Sequence, residues 1–236
     1  MDYPNSPLSK IVEIDFNLNP AKIISILRPF VSDHKQQLVE EISKKRTRHI
    51  TLVFEDIDKP HNISAVLRTA ECMGIQDLHF IRNRNTYQVN PVITKGAAKW
   101  LTLHHHKDAA SGSENIQEAY DHLRRKGYKI YATSLGEGAI SSEELDVSEK
   151  TAIVFGTEGT GISKEAAELA DGLIQVPMRG FTESYNLSVT AAILLNTLLR
   201  NDSGDWSLSE EERQEVMADW YKQIVRGADK ILELKK

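Results

Sequence analysis

The chain has 236 residues, of which 40% are hydrophobic and 27% charged, and a formal net charge of −5. That length holds one medium α/β domain with short terminal additions, and no apolar run reaches the roughly 20 residues that cross a bilayer. The acidic balance excludes a protein that coats nucleic acid by bulk charge, while local basic patches remain able to bind RNA.

The first 18 residues carry Asp2, Glu13 and Asp15 and have no small-residue cleavage site behind an apolar block, so no signal peptide is expected. The single Cys72 makes neither an internal disulfide nor a multi-cysteine metal site. Both features point to the cytoplasm. Basic residues cluster at Lys44, Lys45, Arg46 and Arg48, at Arg82 and Arg84, at Lys95 and Lys99, and at Arg124, Arg125 and Lys126. Acids gather at Glu210, Glu211, Glu212 and Glu215. Each basic cluster taken alone is also what a solvated helix end looks like.

In chain order, residues 1–19 lack periodicity and contain Pro4 and Pro7, which reads as an extended arm. Residues 20–45 have helical spacing broken at Pro29, so two helices are predicted. A β-rich run at 50–54 (ITLVF) follows, then a helix over 62–73 with Ile63, Val66, Leu67 and Ala70 on one face. Strands are predicted at 78–81 and, weakly, at 101–103. A helix over 116–126 ends at Gly127, a good C-cap position. Further strands fall at 129–132 (KIYA), 152–155 (AIVF) and 173–176 (LIQV), and a strongly apolar helix spans 187–199. Residues 201–209 read as a linker, and 209–236 as one or two amphipathic helices with Val216, Trp220, Ile224 and Val225 on one face.

Strands alternating with helices predict a parallel sheet covered on both faces, and near-continuous apolar strands suit a doubly buried sheet. Ligands in such folds sit beyond the carboxyl ends of the strands. The loops after Phe54, Ala132, Phe155 and Val176 are therefore the candidate site.

Three segments carry chemistry. In FEDIDKPHNISAVLR, a strand gives way to a polar loop, Asn62 is placed to cap a helix, and Arg68 follows within two turns, suited to a phosphate or ribose oxygen. Taken alone, that segment is more simply an ordinary cap and a surface arginine. In IVFGTEGTGIS, a strand runs into a glycine-rich loop holding Glu158, with Ser163 as the next N-cap; it is neither a Walker loop nor a dinucleotide fingerprint. In IQVPMRGFTESYNLSVTAA, Ser184 and Asn186 stand at a helix start, where free N–H groups collect, and both are also favoured caps. His104, His105 and His106 are consecutive on a strand and point to alternate faces. No other His, Cys or acid pair lies at ligand spacing, so no metal is expected. Trp206, Trp220 and Tyr221 are read as packing of the tail helices rather than base-stacking platforms.

Together and in this order, HNISAVLRTAE, FGTEGTGIS and VPMRGFTESYNLSVTAA resemble the three motifs of the SpoU family of RNA 2'-O-methyltransferases, within the SPOUT superfamily. The resemblance spans roughly residues 50–200. It implies an α/β fold with a parallel sheet, helices on both faces and a C-terminal deep trefoil knot, here flanked by N-terminal (1–49) and C-terminal (201–236) helical extensions. It also implies S-adenosyl-L-methionine as cofactor and a homodimer with the active site at its interface. Carried onto matching positions, Arg68 is the catalytic arginine, acting as general base or as a group that stabilises the developing alkoxide, and Asn62 positions it. Glu158, Ser184 and Asn186 complete the site. Leu135, Gly156, Val176 and Tyr185 form the cofactor pocket, Tyr185 standing where the family more often has an aliphatic residue. The terminal helices and the wording KPHNISAVLRTA resemble the branch that methylates guanosine 18 in the tRNA D-loop, with Lys44 to Arg48 gripping tRNA. Two alternatives stay open: the same chemistry on rRNA or another tRNA site, and a non-catalytic RNA-binding protein with this fold.

Overall fold

The computed structural model of the chain describes residues 18–82, 91–106, 112–200 and 204–235. Most of the expected N-terminal arm, Arg84 and the first part of the expected linker lie outside the described residues. The elements run α1 (Pro20–Leu27), α2 (Asp33–Ser43), β1 (Ile50–Glu55), α3 (Pro60–Cys72), β2 (Asp77–Ile81), α4 (Pro91–Thr94) and β3 (Thr102–His106). They continue with α5 (Gly112–Arg125), β4 (Lys129–Thr133), β5 (Ile140–Ser141), β6 (Thr151–Phe155) and α6 (Lys164–Leu169). The last are β7 (Gly172–Gln175), α7 (Leu187–Arg200), α8 (Glu210–Ile224) and α9 (Ala228–Glu233). Among the described residues no helix is long and apolar enough to cross a membrane.

Two compact units form, one from Thr47–Trp206 and one from the described residues up to Arg46 together with those from Ser207 onward. The terminal segments, expected as separate extensions, are thus one packed body. In it α8 lies against α1 and α2. Asn19 starts α1 by accepting the Lys22 N–H at 2.8 Å, and Pro29 interrupts the helix with a single 3-10 turn. Ser209 and Glu212 make a reciprocal capping box at the head of α8. Trp220 and Tyr221 are buried, consistent with helix packing. Arg46 is only 2% exposed, with its guanidinium 5.7 Å from the Trp220 ring centre. It therefore does not present its charge to RNA, contrary to the role expected for it.

The larger unit is a seven-stranded sheet in the order β3-β2-β1-β6-β4-β7-β5, every pairing parallel. Alternation along β1 sends Leu52 and Phe54 into a core with Ile63, Val66 and Leu67 of α3 and Leu194 and Leu195 of α7. Val53 goes the other way, to Ile116, Tyr120 and Leu123 of α5. Helices so cover both faces, and each fully buried Leu, Ile or Val contributes roughly 1.5–3 kcal/mol. Gly127 closes α5 with φ +84°, while Tyr128 N–H reaches back to Leu123 O at 3.1 Å, a Schellman-type stop. The weak strand predicted at 101–103 runs instead over Thr102–His106. Its histidines hid it from an apolar pattern. The two-residue β5 was too short to show one.

Candidate active site at the carboxyl edge of the sheet

β1 leaves the sheet through Asp56, whose φ of 54° turns the chain and whose N–H bonds Ile81 O at 2.9 Å. Lys59 is extended (φ −90°, ψ 107°) and Pro60 opens α3, as a residue before proline and a proline at a first helical position should. Lys59 thus takes the cap position. Asn62, expected as the cap, falls inside the first turn and is 9% exposed. Its Oδ1 accepts a hydrogen bond from Asn186 Nδ2 at 3.1 Å.

β6 runs into the glycine loop. A Cβ on Gly156 would sit 2.1 Å from the backbone C and O of Gly161, so the loop crosses itself at a point only glycine allows. Thr157 and Gly161 exchange backbone hydrogen bonds of 3.0 and 2.9 Å. Ser163 then caps α6, its Oγ accepting Ala166 N–H at 3.0 Å. Its own N–H donates to Oε2 of buried Glu55 at 2.8 Å, tying the loop to the end of β1.

Glu158 projects from this loop to meet both other motifs. Oε1 accepts from Asn186 Nδ2 at 2.6 Å and from Leu187 N–H at 3.4 Å. Oε2 pairs with the Lys59 ammonium. The Lys59 hydrogen bond is the largest influence on the Glu158 carboxyl and holds its pKa below the ordinary value. Burial opposes this, and the Leu187 N–H and the Asn62 side chain add to it. Lys59 is raised in turn, mainly by the same bond.

Asn186 is both a cap and a member of the site, so its two candidate roles hold together. Its carbonyl accepts Val189 and Thr190 N–H, both at 2.9 Å, and its Oδ1 accepts Ser188 N–H at 2.9 Å. That backbone N–H can only donate, which fixes which way the amide faces and aims Nδ2 at Glu158.

Of the expected catalytic residues, Asn62, Glu158 and Asn186 therefore converge. Arg68 and Ser184 do not join them within the chain. Both are exposed, and Arg68 lies six residues beyond Asn62, about 120° around the helix, rather than on the same side as expected. Lys59 belongs to the cluster, a residue that the three motifs taken singly do not mark. Its place in the KPHN stretch was visible, but nothing local pairs it with an acid 99 positions away. The four expected cofactor residues sit on the loops beyond the strand ends. Leu135 follows β4, Gly156 follows β6 and Val176 follows β7, three strands adjacent in the sheet. Leu135 and Tyr185 are 56% and 43% exposed, and Val176 is buried.

Two further expectations change. Of the basic residues at 44–48, Arg48 is engaged by Asp77 at 2.8 Å and Arg46 is buried, leaving Lys44 and Lys45 exposed. The histidines do alternate, His105 stacking on Phe80 and His104 facing the other way. Parallel register, however, pairs His104 with His79, and α5 lays His122 beside both. Other histidines are therefore within ligand reach, contrary to the reading from spacing along the chain.

Residues 49–196 match the SpoU rRNA methylase family. The chain belongs to that family. Among SpoU proteins, the tRNA (guanosine(18)-2'-O)-methyltransferase of Borreliella burgdorferi is 39% identical over 87% of this chain and 93% of its own length. The enzyme of the same name from Thermus thermophilus is 34% identical over 80% and 96%. The crystal structure of an Aquifex aeolicus TrmH/SpoU tRNA modifying enzyme superposes with a TM-score of 0.72 at 27% identity, covering 82% of this chain and 98% of that one. The cluster of Asn62, Glu158 and Asn186 thus joins one residue from each of the three SpoU-type motifs.

Proposed function

We propose that the chain is an S-adenosyl-L-methionine-dependent tRNA ribose 2'-O-methyltransferase acting on guanosine 18 of the D-loop. The observation that carries this reading is the convergence of Asn62, Glu158 and Asn186 beyond the strand ends, in a chain of a methylase family whose relatives bear that name over nearly their full length.

The pocket residues fit the cofactor. Gly156 lets the loop cross itself against Gly161 and so shapes the backbone wall beyond β6, Leu135 and Tyr185 offer exposed apolar surface, and Val176 adds a buried wall. When bound, S-adenosyl-L-methionine supplies an electrophilic methyl group on a sulfonium. The chain's own residues do the rest. The Glu158–Asn186–Asn62 bonds hold the glycine loop, the start of α7 and the first turn of α3 in one arrangement. Leu135, Gly156, Val176 and Tyr185 would hold the cofactor, which would supply the methyl to the ribose 2'-oxygen, and the hydroxyl proton would leave to an RNA phosphate oxygen. The Arg68 guanidinium has donors and no acceptor, so it orients the hydroxyl and offsets the alkoxide charge rather than taking the proton. Much of the acceleration comes from in-line positioning.

The reading includes a C-terminal deep trefoil knot and a homodimer in which Arg68 of one copy faces the glycine loop of the other. In support, Arg68 stands apart from Glu158 within one chain, and Phe181, Tyr185 and Val189 leave apolar surface exposed near the third motif. Lys44 and Lys45 contribute to holding tRNA, and the cytoplasm is where such a reaction takes place. The test is methyl transfer from labelled cofactor to bulk tRNA, followed by mapping of the modified nucleotide. A 2'-O-methylguanosine in the D-loop supports the reading. Another position or rRNA moves the substrate, and no transfer with retained RNA binding favours the non-catalytic alternative.

A further inference from the structure

Four histidines gather on one side of the β2–β3 edge of the sheet, on strands other than those that lead to the expected cofactor residues. His79 and His104, paired by register, stack with ring centres 4.4 Å apart. His106 places Nε2 3.0 Å from His79 Nδ1. From α5, His122 brings its ring to 5.8 Å from that of His79 and 6.0 Å from that of His104. His79, His104 and His122 each offer a ring nitrogen, and the three atoms lie within 4.8 Å of one another.

Two further observations give this cluster a chemical direction. The Nε2 of His122 is buried and, among the described residues, has no hydrogen-bond partner, an expensive state unless another group meets it. His104 Nε2 lies 2.7 Å from Asp77 Oδ1, and Arg48 holds the same carboxylate at 2.8 Å. A carboxylate on one ring nitrogen fixes the tautomer and makes the other nitrogen a stronger donor, the support that metal-bound histidines characteristically have.

We propose that His79, His104 and His122 form a binding site for a divalent transition-metal ion of the zinc type. An all-imidazole set suits zinc, copper, nickel or iron and disfavours magnesium and calcium. Zinc takes nitrogens at about 2.0–2.1 Å, so the rings draw inward on binding, and water fills the remaining position. The ion staples β2, the edge strand β3 and α5. Methyl transfer does not require it.

The test uses the full chain without a polyhistidine tag, stripped with chelator and titrated with zinc by calorimetry, with cobalt in parallel for its visible spectrum. The expected result is one zinc per chain at micromolar free zinc, a raised Tm in its presence, and a cobalt spectrum of four-coordinate type. His122→Ala should lose binding at least tenfold. That variant removes the orphaned nitrogen and so should fold at least as well without zinc as the parent does. Asp77→Asn should weaken binding by about 10–100-fold. Absence of binding at micromolar zinc, or binding that His122→Ala leaves undiminished, overturns the proposal. The first outcome means that water meets His122; the second means that zinc binds elsewhere.

Discussion

Asn186 donates through Nδ2 to Oε1 of Glu158 at 2.6 Å, across 28 positions of chain. The bond is directional because Oδ1 of the same amide is taken by Ser188 N–H. Asn186→Asp separates the two roles. Aspartate still caps α7, but it offers no donor to Glu158 and sets a second carboxylate against it. Stability measured by urea unfolding should change by less than about 1 kcal/mol, while methyl transfer falls by about 10²-fold or more. Asn186→Ala should lose transfer as well, together with about 0.5–2 kcal/mol of stability from the missing cap. Full activity in the Asp variant would show that the donor is dispensable.

Arg68 is exposed and, among the described residues, makes no hydrogen bond or ion pair. Arg68→Ala should therefore leave unfolding within about 0.5 kcal/mol of the parent and cofactor affinity nearly intact, while transfer drops by about 10²–10³-fold. Calorimetry with the cofactor alongside the transfer assay checks both. Loss of cofactor binding would reassign the residue.

Gly156→Ala places a methyl group 2.1 Å from the backbone of Gly161. Backbone cannot yield as a side-chain tip can, so the loop must open. We expect at least about 1–3 kcal/mol of destabilisation and a weakened cofactor pocket, read as a lower Tm and a higher Kd. The same change at Gly159, where an added Cβ meets nothing within 4 Å, should be mild.

Much of this was legible in the sequence because it is local. The ITLVF and AIVF runs, the Pro29 break, the Gly127 stop and the Ser163 cap each depend on neighbours within a few positions. What was hidden depends on register or on distant packing. Lys59 finds Glu158 only once β1 and β6 pair and their loops meet. His79 and His104 are 25 positions apart and adjacent only through the parallel β2–β3 ladder. Arg46 reads as a basic surface residue until the terminal helices close over it. Asn62 reads as a cap from its residue type after a polar loop, but Pro60, two positions earlier, is itself a good first helical residue and moves the start of α3 upstream.

Acid should weaken the fold through the histidine cluster. Burial lowers the pKa of His79, and that of His106 falls from 6.5 to about 4. Unfolded chains bind those protons more readily, so the contribution is full above pH 6.5 and is lost as pH falls toward 4. For His106 alone this is about 3 kcal/mol. Glu158, whose pKa is depressed below 4.5, adds a loss only at lower pH. Urea unfolding as a function of pH should fall between 6.5 and 4, and a flat profile there would contradict the buried, neutral state of these rings.

The most direct measurement is transfer of a labelled methyl group to tRNA, with complete digestion to nucleosides and mapping of the labelled position, for the parent and for Arg68→Ala. Label is expected in 2'-O-methylguanosine from the D-loop with the parent and almost none with the variant. Label on a base rather than a ribose, or equal transfer by the two proteins, would contradict it.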